Sequence, residues 1–441
     1  MTPELLHKYA RPVPRYTSYP TAPHFHAGVD EDTYRTWLAA IPPDEPLSLY
    51  FHVPFCRQLC WYCGCHTSVT RNEEALVRYA AALEREIATV ASAMCHGRTV
   101  ASLHWGGGTP NILPPDLWED VMDTARHHFR FAEGAEIAAE LDPRLITEDW
   151  FPALRRQGVT RVSLGVQDFD AGVQVAINRV QPFELVQRAV DGLRNQASIE
   201  GINFDLIYGL PGQTDETIRN TVRLAASLSP DRIALFGYAH VPWMKSHQEK
   251  IDTAKLPGAW HRYGMSKLAM QQLQDAGYRA IGFDHFARPD DPLCRAAEHG
   301  DLRRNFQGYT DDRNEVLVGF GASAIGTLPS GYVQNEPRIA QWLRAVEDGR
   351  LPVVRGVACS EEDTTRRRLI ETLLCAFEVE VDDPALIADS DTLQAMLDDG
   401  LAEWDGCVLR VTETGRPMVR TLGSVFDAHL ARGVGKHSAP V

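Results

Sequence analysis

Six short runs of β-branched, aromatic and other apolar residues alternate with longer stretches of helical period between residue 46 and about residue 240. This alternation is typical of successive βα units that build a parallel sheet. It predicts strands beginning near residues 47, 100, 135, 159, 202 and 232, and helices over 73–94, 114–129, 147–157, 183–196, 214–228 and 258–276. Six such units favour an α/β fold with a partial or full barrel over a doubly wound sheet, although periodicity alone does not separate the two.

The loops that follow the predicted strands carry cysteine, glycine or acidic residues. In chain order they are CRQLCWYCGC, GGGTP, ELDP, GVQDF, DLIYGLP and YAHVP. Because the carboxyl ends of parallel strands meet at one edge, we expect these loops to form one site.

The chain is expected to divide into three segments. Residues 1–45 are predicted to form an N-terminal extension that covers the active site, 46–355 the barrel with its covering segments, and 356–441 a mainly helical C-terminal domain with one hairpin. Helices followed by a hairpin are also typical of winged-helix modules, which bind DNA. Residues 361–441, however, hold sixteen Asp or Glu against eight Lys or Arg, which favours a structural or lid role.

Charge and hydropathy restrict the partners. A formal net charge of −15 argues against general affinity for nucleic acid or for an anionic membrane. No stretch approaches the roughly 18 apolar residues of a membrane span, and the first residues lack the apolar segment of a signal peptide. We therefore expect a cytoplasmic protein.

Four of the nine cysteines lie in the ten-residue loop CRQLCWYCGC. Cys56, Cys60 and Cys63 have C-x3-C-x2-C spacing, which lets one loop place three thiolates at three corners of an iron–sulfur cubane. The fourth iron is then open to a bidentate ligand, such as the amino and carboxylate groups of S-adenosylmethionine (SAM). Tyr62, just before the third cysteine, can pack against an adenine.

Three other interpretations of this loop stay open: a zinc site that includes Cys65, a thioredoxin-type pair, and packing alone. Zinc sites usually use two C-x2-C arms separated by a spacer, and no second arm is present. A redox pair leaves Cys56 and Cys65 without a role. The glycine run Gly106 to Gly108, one βα unit further on, favours a cofactor cradle because backbone there can approach a ligand closely.

Motifs along nearly the whole chain resemble the radical SAM superfamily and, within it, the oxygen-independent coproporphyrinogen III oxidase family. They include PRYTSYPTA, HVPFCRQLCWYCGCHTSVTR, HWGGGTP, LGVQDFD, DLIYGLPGQT, PDRIALFGYAHVPW, GFDHFARPDDPL and RNFQGYT. The resemblance implies an incomplete six-unit (β/α)6 barrel of the TIM type, one [4Fe-4S] cluster and two SAM molecules.

The resemblance also implies roles for individual residues. Cys56, Cys60 and Cys63 would bind the cluster, with Cys65 beside it but not a ligand. Residues that match the family's contacts to the SAM on the open iron are Tyr50, Gly107, Glu140 and Ile325. Residues that match its contacts to the second SAM are Tyr62, Gly108, Thr109, Gln167, Arg179, Asp205 and Ala239.

The implied reaction is the anaerobic conversion of two propionate side chains of coproporphyrinogen III to vinyl groups by a SAM-derived 5′-deoxyadenosyl radical. It requires an electron donor and an electron acceptor, which the sequence does not identify, and the family expectation is a monomer. Candidates for binding the substrate carboxylates are Lys8, Arg11 and Arg15, with the FARP loop and the loop over 303–313. The alternative function is a related haem-binding chaperone, but such chaperones typically lack the cysteine at position 65 and the YTSYPTA segment, which are both present here.

Overall fold

Six parallel strands, adjacent in the order in which they occur in the sequence, form the centre of the protein in a computed structural model that describes residues 1–94 and 97–430. In the described part of the chain, the strands are β1 (Leu47–Val53), β2 (Phe55–Cys56), β3 (Ser68–Val69), β4 (Thr99–Gly107), β5 (Arg130–Leu141), β6 (Arg161–Gln167), β7 (Gly201–Tyr208), β8 (Arg232–Gly237), β9 (Arg279–Ile281), β10 (His285–Ala287), β11 (Arg303–Asn305), β12 (Gly308–Thr310), β13 (Val316–Phe320), β14 (Ile325–Leu328), β15 (Gly331–Asn335), β16 (Val353–Ala358), β17 (Glu378–Glu380), β18 (Ala402–Asp405) and β19 (Val408–Val411).

Helices connect the parallel strands and flank the sheet. Over the same described residues they are α1 (Pro3–Tyr9), α2 (Glu31–Ala40), α3 (Glu73–Ser92), α4 (Pro115–His128), α5 (Trp150–Arg156), α6 (Ala171–Ala176), α7 (Phe183–Asn195), α8 (Asp215–Ser227), α9 (Ala259–Asp275), α10 (Pro292–His299), α11 (Ile339–Glu347), α12 (Glu361–Ala376), α13 (Ser390–Asp398) and α14 (Val419–Gly423). The six helices predicted between and after the strands are confirmed as α3, α4, α5, α7, α8 and α9.

The central sheet confirms the predicted α/β class. Its parallel part has the strand order β13-β1-β4-β5-β6-β7-β8, and all of these except β13 are the six predicted strands. Strand β1 is buried on both faces except at Tyr50, as expected for a strand covered by helices on one side and by core on the other. This double burial explains why the strands appear in the sequence as continuous apolar runs.

Further strands extend the sheet at both edges. At one edge, β13 pairs in parallel with β1, and β14, β15 and β16 follow in antiparallel order. At the other edge, β10 pairs antiparallel with β8, and β9 pairs with β10. The segments after residue 280 thus contribute β10, β13 and β14 to the main sheet, while β11 and β12 form a separate two-stranded sheet.

The N-terminal extension is divided between two hydrophobic cores. Tyr34 and Leu38 of α2 pack into the main core around the sheet. Leu6 and Tyr16 pack with the C-terminal helices and strands in a second core. In that C-terminal part, the predicted hairpin is β18–β19, and β17 adds a third strand beside β19. Cys95 and residues 431–441, the end of the predicted C-terminal domain, lie outside the described residues.

Among the described residues, no helix is both long enough and apolar enough to cross a membrane.

Candidate active site

A cavity of about 170 Å³ lies at the carboxyl ends of the parallel strands, where the predicted loops meet. Most of the residues predicted for the site border it. They are Cys56, Cys60, Tyr62, Cys63, Gly107, Gly108, Thr109, Glu140, Gln167, Arg179 and Asp205. The structure therefore brings together residues from four parallel strands, β4, β5, β6 and β7, and from the cysteine loop, as expected from parallel topology.

The cysteine loop is held in place from outside by hydrogen bonds to its backbone. Asn178 Nδ2 donates to the carbonyl of Leu59 at 2.8 Å, and Gln248 Nε2 donates to the carbonyl of Tyr62 at 2.9 Å. The loop also donates from the amide of Trp61 to the carbonyl of Ile177 at 3.0 Å. These contacts fix the backbone, so the thiols can face the cavity.

Hydroxyl and cationic groups surround the sulfur atoms. Cys56 Sγ lies 3.2 Å from Thr67 Oγ1 and 3.5 Å from Thr109 Oγ1. Arg179 Nη1 lies 3.6 Å from Cys60 Sγ. Burial raises the pKa of the Cys56 thiol, and the two hydroxyl contacts partly offset this. Hydrogen bonds and a guanidinium favour the thiolate, which is the form in which cysteine binds metals.

Cys65 interacts directly with Cys63. Hydrogen bonds from the Cys65 side chain and from its amide, which lies 3.4 Å from the Cys63 sulfur, lower the pKa of Cys63 to about 7 despite burial. The same contact raises the pKa of the Cys65 thiol well above its usual range. Cys65 thus acts as a donor toward a neighbouring thiolate.

The donor set fits an iron–sulfur cluster. Cys56, Cys60 and Cys63 border one cavity, and the Nε atom of Arg179 beside them is buried without a hydrogen-bond partner. In the part of the chain that the structure describes, no three Cys, His, Asp or Glu side chains converge on a position for a single metal ion. A cluster takes one thiolate on each of several irons, so its ligands need not meet at one point.

A buried ion pair supports the wall beside Cys60. Arg179 Nη1 is 3.4 Å from Asp142 Oδ2, and both side chains are less than a tenth exposed. Burial alone would raise the pKa of Asp142, but Arg179 and Arg144 together hold it below its usual value. Arg179 also donates from Nη2 to the carbonyl of Gly165 at 2.6 Å, so it joins the cysteine loop to β5 and β6.

Two carboxylates, on β5 and on β7 with β6 between them, offer acceptors to a ligand. Glu140 accepts from the amide of Gly107 at 3.3 Å, where the backbone has a φ of 115° that favours glycine. Asp205 accepts from Ser163 Oγ at 3.1 Å and from Asn203 Nδ2 at 2.9 Å. Burial, and then the charge of Glu140, raises the pKa of Asp205 to about 7.

Three predicted residues lie outside this cavity. Tyr50 is on β1, and its hydroxyl is 3.0 Å from His52 Nδ1. Ile325 begins β14, two strands from β1 across β13. Ala239 follows β8 and borders a second, larger cavity.

The sequence pattern did not single out Asp142, Arg144 or Ser163, although all three border the cavity. Asp142 lies in the ELDP loop, so the position of that loop at a strand end was the available signal. Arg144 and Ser163 carry no comparable signal, because an arginine in a loop or a serine in a strand is common in structural roles.

Comparison with known proteins places these features in a family. Residues 50–225 match the model of the radical SAM superfamily. The chain is 46% identical to the oxygen-independent coproporphyrinogen III oxidase of Bradyrhizobium diazoefficiens, with 97% of each chain covered. It is 45% identical to the enzyme of the same name from Paracoccus denitrificans, with 97% of this chain and 96% of the other covered.

A solved structure agrees along almost the whole chain. Coproporphyrinogen III oxidase from Escherichia coli, described as a radical SAM enzyme, superposes with a TM-score of 0.89 at 38% identity, covering 94% of this chain and 97% of that one. Sequence and structure thus agree over nearly the full length, and the chain belongs to the oxygen-independent coproporphyrinogen III oxidase family of the radical SAM superfamily.

Proposed function

We infer that this chain decarboxylates two propionate side chains of coproporphyrinogen III oxidatively, without oxygen, to give the vinyl groups of protoporphyrinogen IX in haem biosynthesis. The observation that carries this function is the grouping of Cys56, Cys60 and Cys63 around one cavity, in a chain of this oxidase family. Each propionate loses a β-hydrogen atom to a SAM-derived 5′-deoxyadenosyl radical, carbon dioxide, and one electron to an acceptor.

The cofactors of this proposal are one [4Fe-4S] cluster, held by Cys56, Cys60 and Cys63, and two SAM molecules. When bound, the cluster supplies the electron that cleaves SAM. The chain's own residues prepare the site for it: the Thr67 and Thr109 hydroxyls lie within hydrogen-bond distance of Cys56 Sγ, and Arg179 is placed to balance the charge of Cys60.

The residues proposed to hold SAM supply acceptors, an amide and a guanidinium. For the SAM on the open iron they are Tyr50, Gly107, Glu140 and Ile325. For the second SAM they are Tyr62, Gly108, Thr109, Gln167, Arg179, Asp205 and Ala239. Asp205 is suited to accept hydrogen bonds from ribose hydroxyls, and Arg179 to pair with a carboxylate. Ala239 borders the second, larger cavity, so this proposal needs the second SAM to extend toward that cavity.

We further propose that the parallel strands form an incomplete (β/α)6 barrel, with residues 1–45 and 356–441 closing its mouth. Tyr16 of the N-terminal segment donates to Asp427 of the C-terminal part at 3.0 Å, which supports joint closure. A primary carbon radical attacks any nearby C–H bond, so the site must exclude water and hold its substrate rigidly.

The proposed setting is cytoplasmic and the proposed state a monomer. An electron donor and a separate electron acceptor are required partners. The acidic net charge of −15 supports the exclusion of nucleic acid and anionic membranes as partners.

The test is an anaerobic assay with matched variants. The protein is reconstituted with iron and sulfide and incubated with SAM, a strong reductant and coproporphyrinogen III, and the products are followed by mass. Stepwise loss of two equivalents of carbon dioxide plus two hydrogens is expected, and the Cys60→Ala variant should abolish it. The matched control is Cys294→Ala, which removes a buried thiol outside the loop. Cluster formation with haem binding but no decarboxylation would instead indicate the chaperone function.

A further inference from the structure

A second cavity, of about 500 Å³, lies beside the cluster cavity. Strand β7 contributes to both, since Asp205 borders the smaller cavity and Tyr208, about 10 Å along the strand, borders the larger. The larger cavity lies between the sheet, the segment over 280–286, the N-terminal segment and residues 413–420. Its volume is in the range of pockets that bind small molecules.

The charge of this cavity is opposite to that of the protein. The whole chain has a net charge of −15. Only two acidic side chains border the cavity within the described residues, Asp284 and Glu413. The cationic side chains that border it are Arg15, Arg262, Lys267, Arg304, Arg416 and Arg420. The excess of four positive charges matches the four carboxylates of coproporphyrinogen III.

Most of the cationic side chains that the sequence suggested for binding the substrate carboxylates make other contacts. Lys8 pairs with Asp399 at 2.7 Å, and Arg11 pairs with Asp389 at 3.3 Å. The guanidinium of Arg288, in the FARP loop, lies over an aromatic ring outside the cavity. Of those candidates, Arg15 and Arg304 border the cavity.

Arg304 is buried with most of its hydrogen-bonding capacity unused. Its side chain is 4% exposed, and its guanidinium stacks 4.5 Å from the ring centre of Phe283 and 4.6 Å from that of Tyr309. Nη2 is 3.5 Å from Asp284, while Nε and Nη1 have no partner. Burying a guanidinium with two unpaired donors costs free energy unless a bound anion compensates its charge.

Arg15 has no hydrogen bond or ion pair with any residue in the described ranges 1–94 and 97–430. Arg15 is exposed and borders the cavity. Desolvation by the surrounding protein is the main cause that lowers the pKa of Arg15; the nearby carboxylate of Asp284 opposes this, and the charge of Arg304 adds to it. The side chain therefore borders the cavity without a hydrogen bond or ion pair among the described residues, with Asp284 as a nearby but unpaired carboxylate.

The backbone before Arg15 is fixed by the C-terminal part. Arg420 donates from Nη2 to the carbonyl of Val13 at 2.6 Å and from Nε to that of Pro14 at 3.1 Å. Burial, followed by the charges of Arg15 and Arg304, lowers the pKa of Arg420 to about 9. A bound anion would offset this concentration of like charge.

We propose that Arg15 and Arg304 bind propionate carboxylates of the porphyrinogen in this cavity, and that Arg420 is a positioning residue that holds Arg15 in place. The proposal rests on the proposed function, since it assigns the substrate's carboxylates to named side chains. In this proposal the N-terminal segment contributes Arg15, which binds one substrate carboxylate, to a cavity formed by the sheet and the C-terminal part.

The experiment compares Arg15→Gln, Arg304→Gln and Arg420→Gln in the reconstituted full-length protein with SAM present. Binding of coproporphyrin III, which has four carboxylates, and of mesoporphyrin, which has two, is followed by fluorescence, and the KM for coproporphyrinogen III is measured. Loss of one charged hydrogen-bonding group should raise the Kd for coproporphyrin and the KM about 10-fold to 100-fold. Mesoporphyrin should lose less affinity, so discrimination between the two porphyrins should fall.

The controls separate binding from folding. Arg350→Gln, an exposed arginine outside both cavities, should leave every value unchanged. Arg420→Lys should restore part of the affinity lost in Arg420→Gln, because it keeps a donor near the Val13 carbonyl. If Arg420→Gln does not fold, Arg15→Gln still tests whether the cavity binds carboxylates, because Arg15 makes no hydrogen bond or ion pair within the described structure.

Two outcomes separate this inference from the proposed function. Unchanged Kd and KM in both Arg15→Gln and Arg304→Gln, with a wild type that decarboxylates, would overturn the inference and leave the oxidase function intact. A wild type that binds coproporphyrin through these arginines but does not decarboxylate would overturn the oxidase function and support the carboxylate site. An equal loss of both porphyrins would show a structural effect and count against the inference.

Discussion

Arg179 Nη1 lies 3.6 Å from the sulfur of Cys60 and also faces the buried carboxylate of Asp142. The Arg179→Gln variant should therefore lose about 2–3 kcal/mol of unfolding free energy, because it removes a charged partner from a buried carboxylate. Iron bound per chain after reconstitution should also fall. Urea unfolding and iron analysis measure the two effects.

The control for this prediction is Arg156→Gln. Arg156 pairs with Glu119 at 2.8 Å on the surface, with an arginine side chain 58% exposed, so less than about 1 kcal/mol should be lost. Equal losses in the two variants would contradict a special role for the buried pair.

Asp205 should make SAM binding depend on pH. Its pKa is raised to about 7 by burial and by Glu140, and the ionised form is the better acceptor for ribose hydroxyls. SAM affinity of the reconstituted protein should therefore rise as pH increases through about 7. In Asp205→Asn the affinity should fall about 10-fold or more and lose this dependence, as measured by equilibrium binding. The exposed substitution Asp348→Asn should keep the wild-type profile, and an unchanged profile in Asp205→Asn would count against this role.

The parallel core was predictable because its strands are short, apolar and regularly spaced. The pairing of β13 with β1 was not predictable, because the five residues of β13 have no following helix of the same unit and lie far along the chain from β1: Val316 lies opposite Leu47. Register between distant segments depends on tertiary packing, which periodicity does not report.

In the candidate site, too, some features could be predicted from local sequence and others depended on the tertiary fold. The cysteine spacing and the glycine run are local patterns and could be identified directly. The choice among Lys8, Arg11 and Arg15 could not be made, since all three are cations in one N-terminal segment. Only the fold shows that Lys8 and Arg11 pair with acidic side chains of the C-terminal part, whereas Arg15 borders a cavity.

Gly108 should be indispensable for the position of the cysteine loop. A Cβ at this residue would lie 2.6 Å from the carbonyl oxygen of Phe55 and in contact with Thr67, so backbone next to Cys56 must shift. Gly108→Ala should lose about 1–3 kcal/mol of stability and bind less iron. In Gly264→Ala, within α9, the added methyl meets open space, so stability should rise by about 0.5–1 kcal/mol with unchanged iron content. Full iron content in Gly108→Ala would show that the loop tolerates the shift.

Glu86 should make the stability of the fold itself depend on pH. Its side chain is 1% exposed and accepts from the amide of Gly321 at 2.7 Å and from Asn335 Nδ2 at 2.6 Å. Burial raises the pKa of Glu86 to about 8 from an ordinary 4.5, so the native state keeps a proton that the unfolded chain releases. The stability that this proton contributes is fully present below about pH 4.5 and is lost as pH rises to about 8.

The Glu86→Gln variant tests this, because glutamine has nearly the same shape as glutamic acid but does not ionise. Its unfolding free energy, relative to wild type, should increase by up to a few kcal/mol between about pH 5 and pH 8 and then level off. Denaturant unfolding of the metal-free proteins across this range, with the exposed substitution Glu249→Gln as control, measures the difference; a constant difference would mean that Glu86 is ionised in the native state throughout.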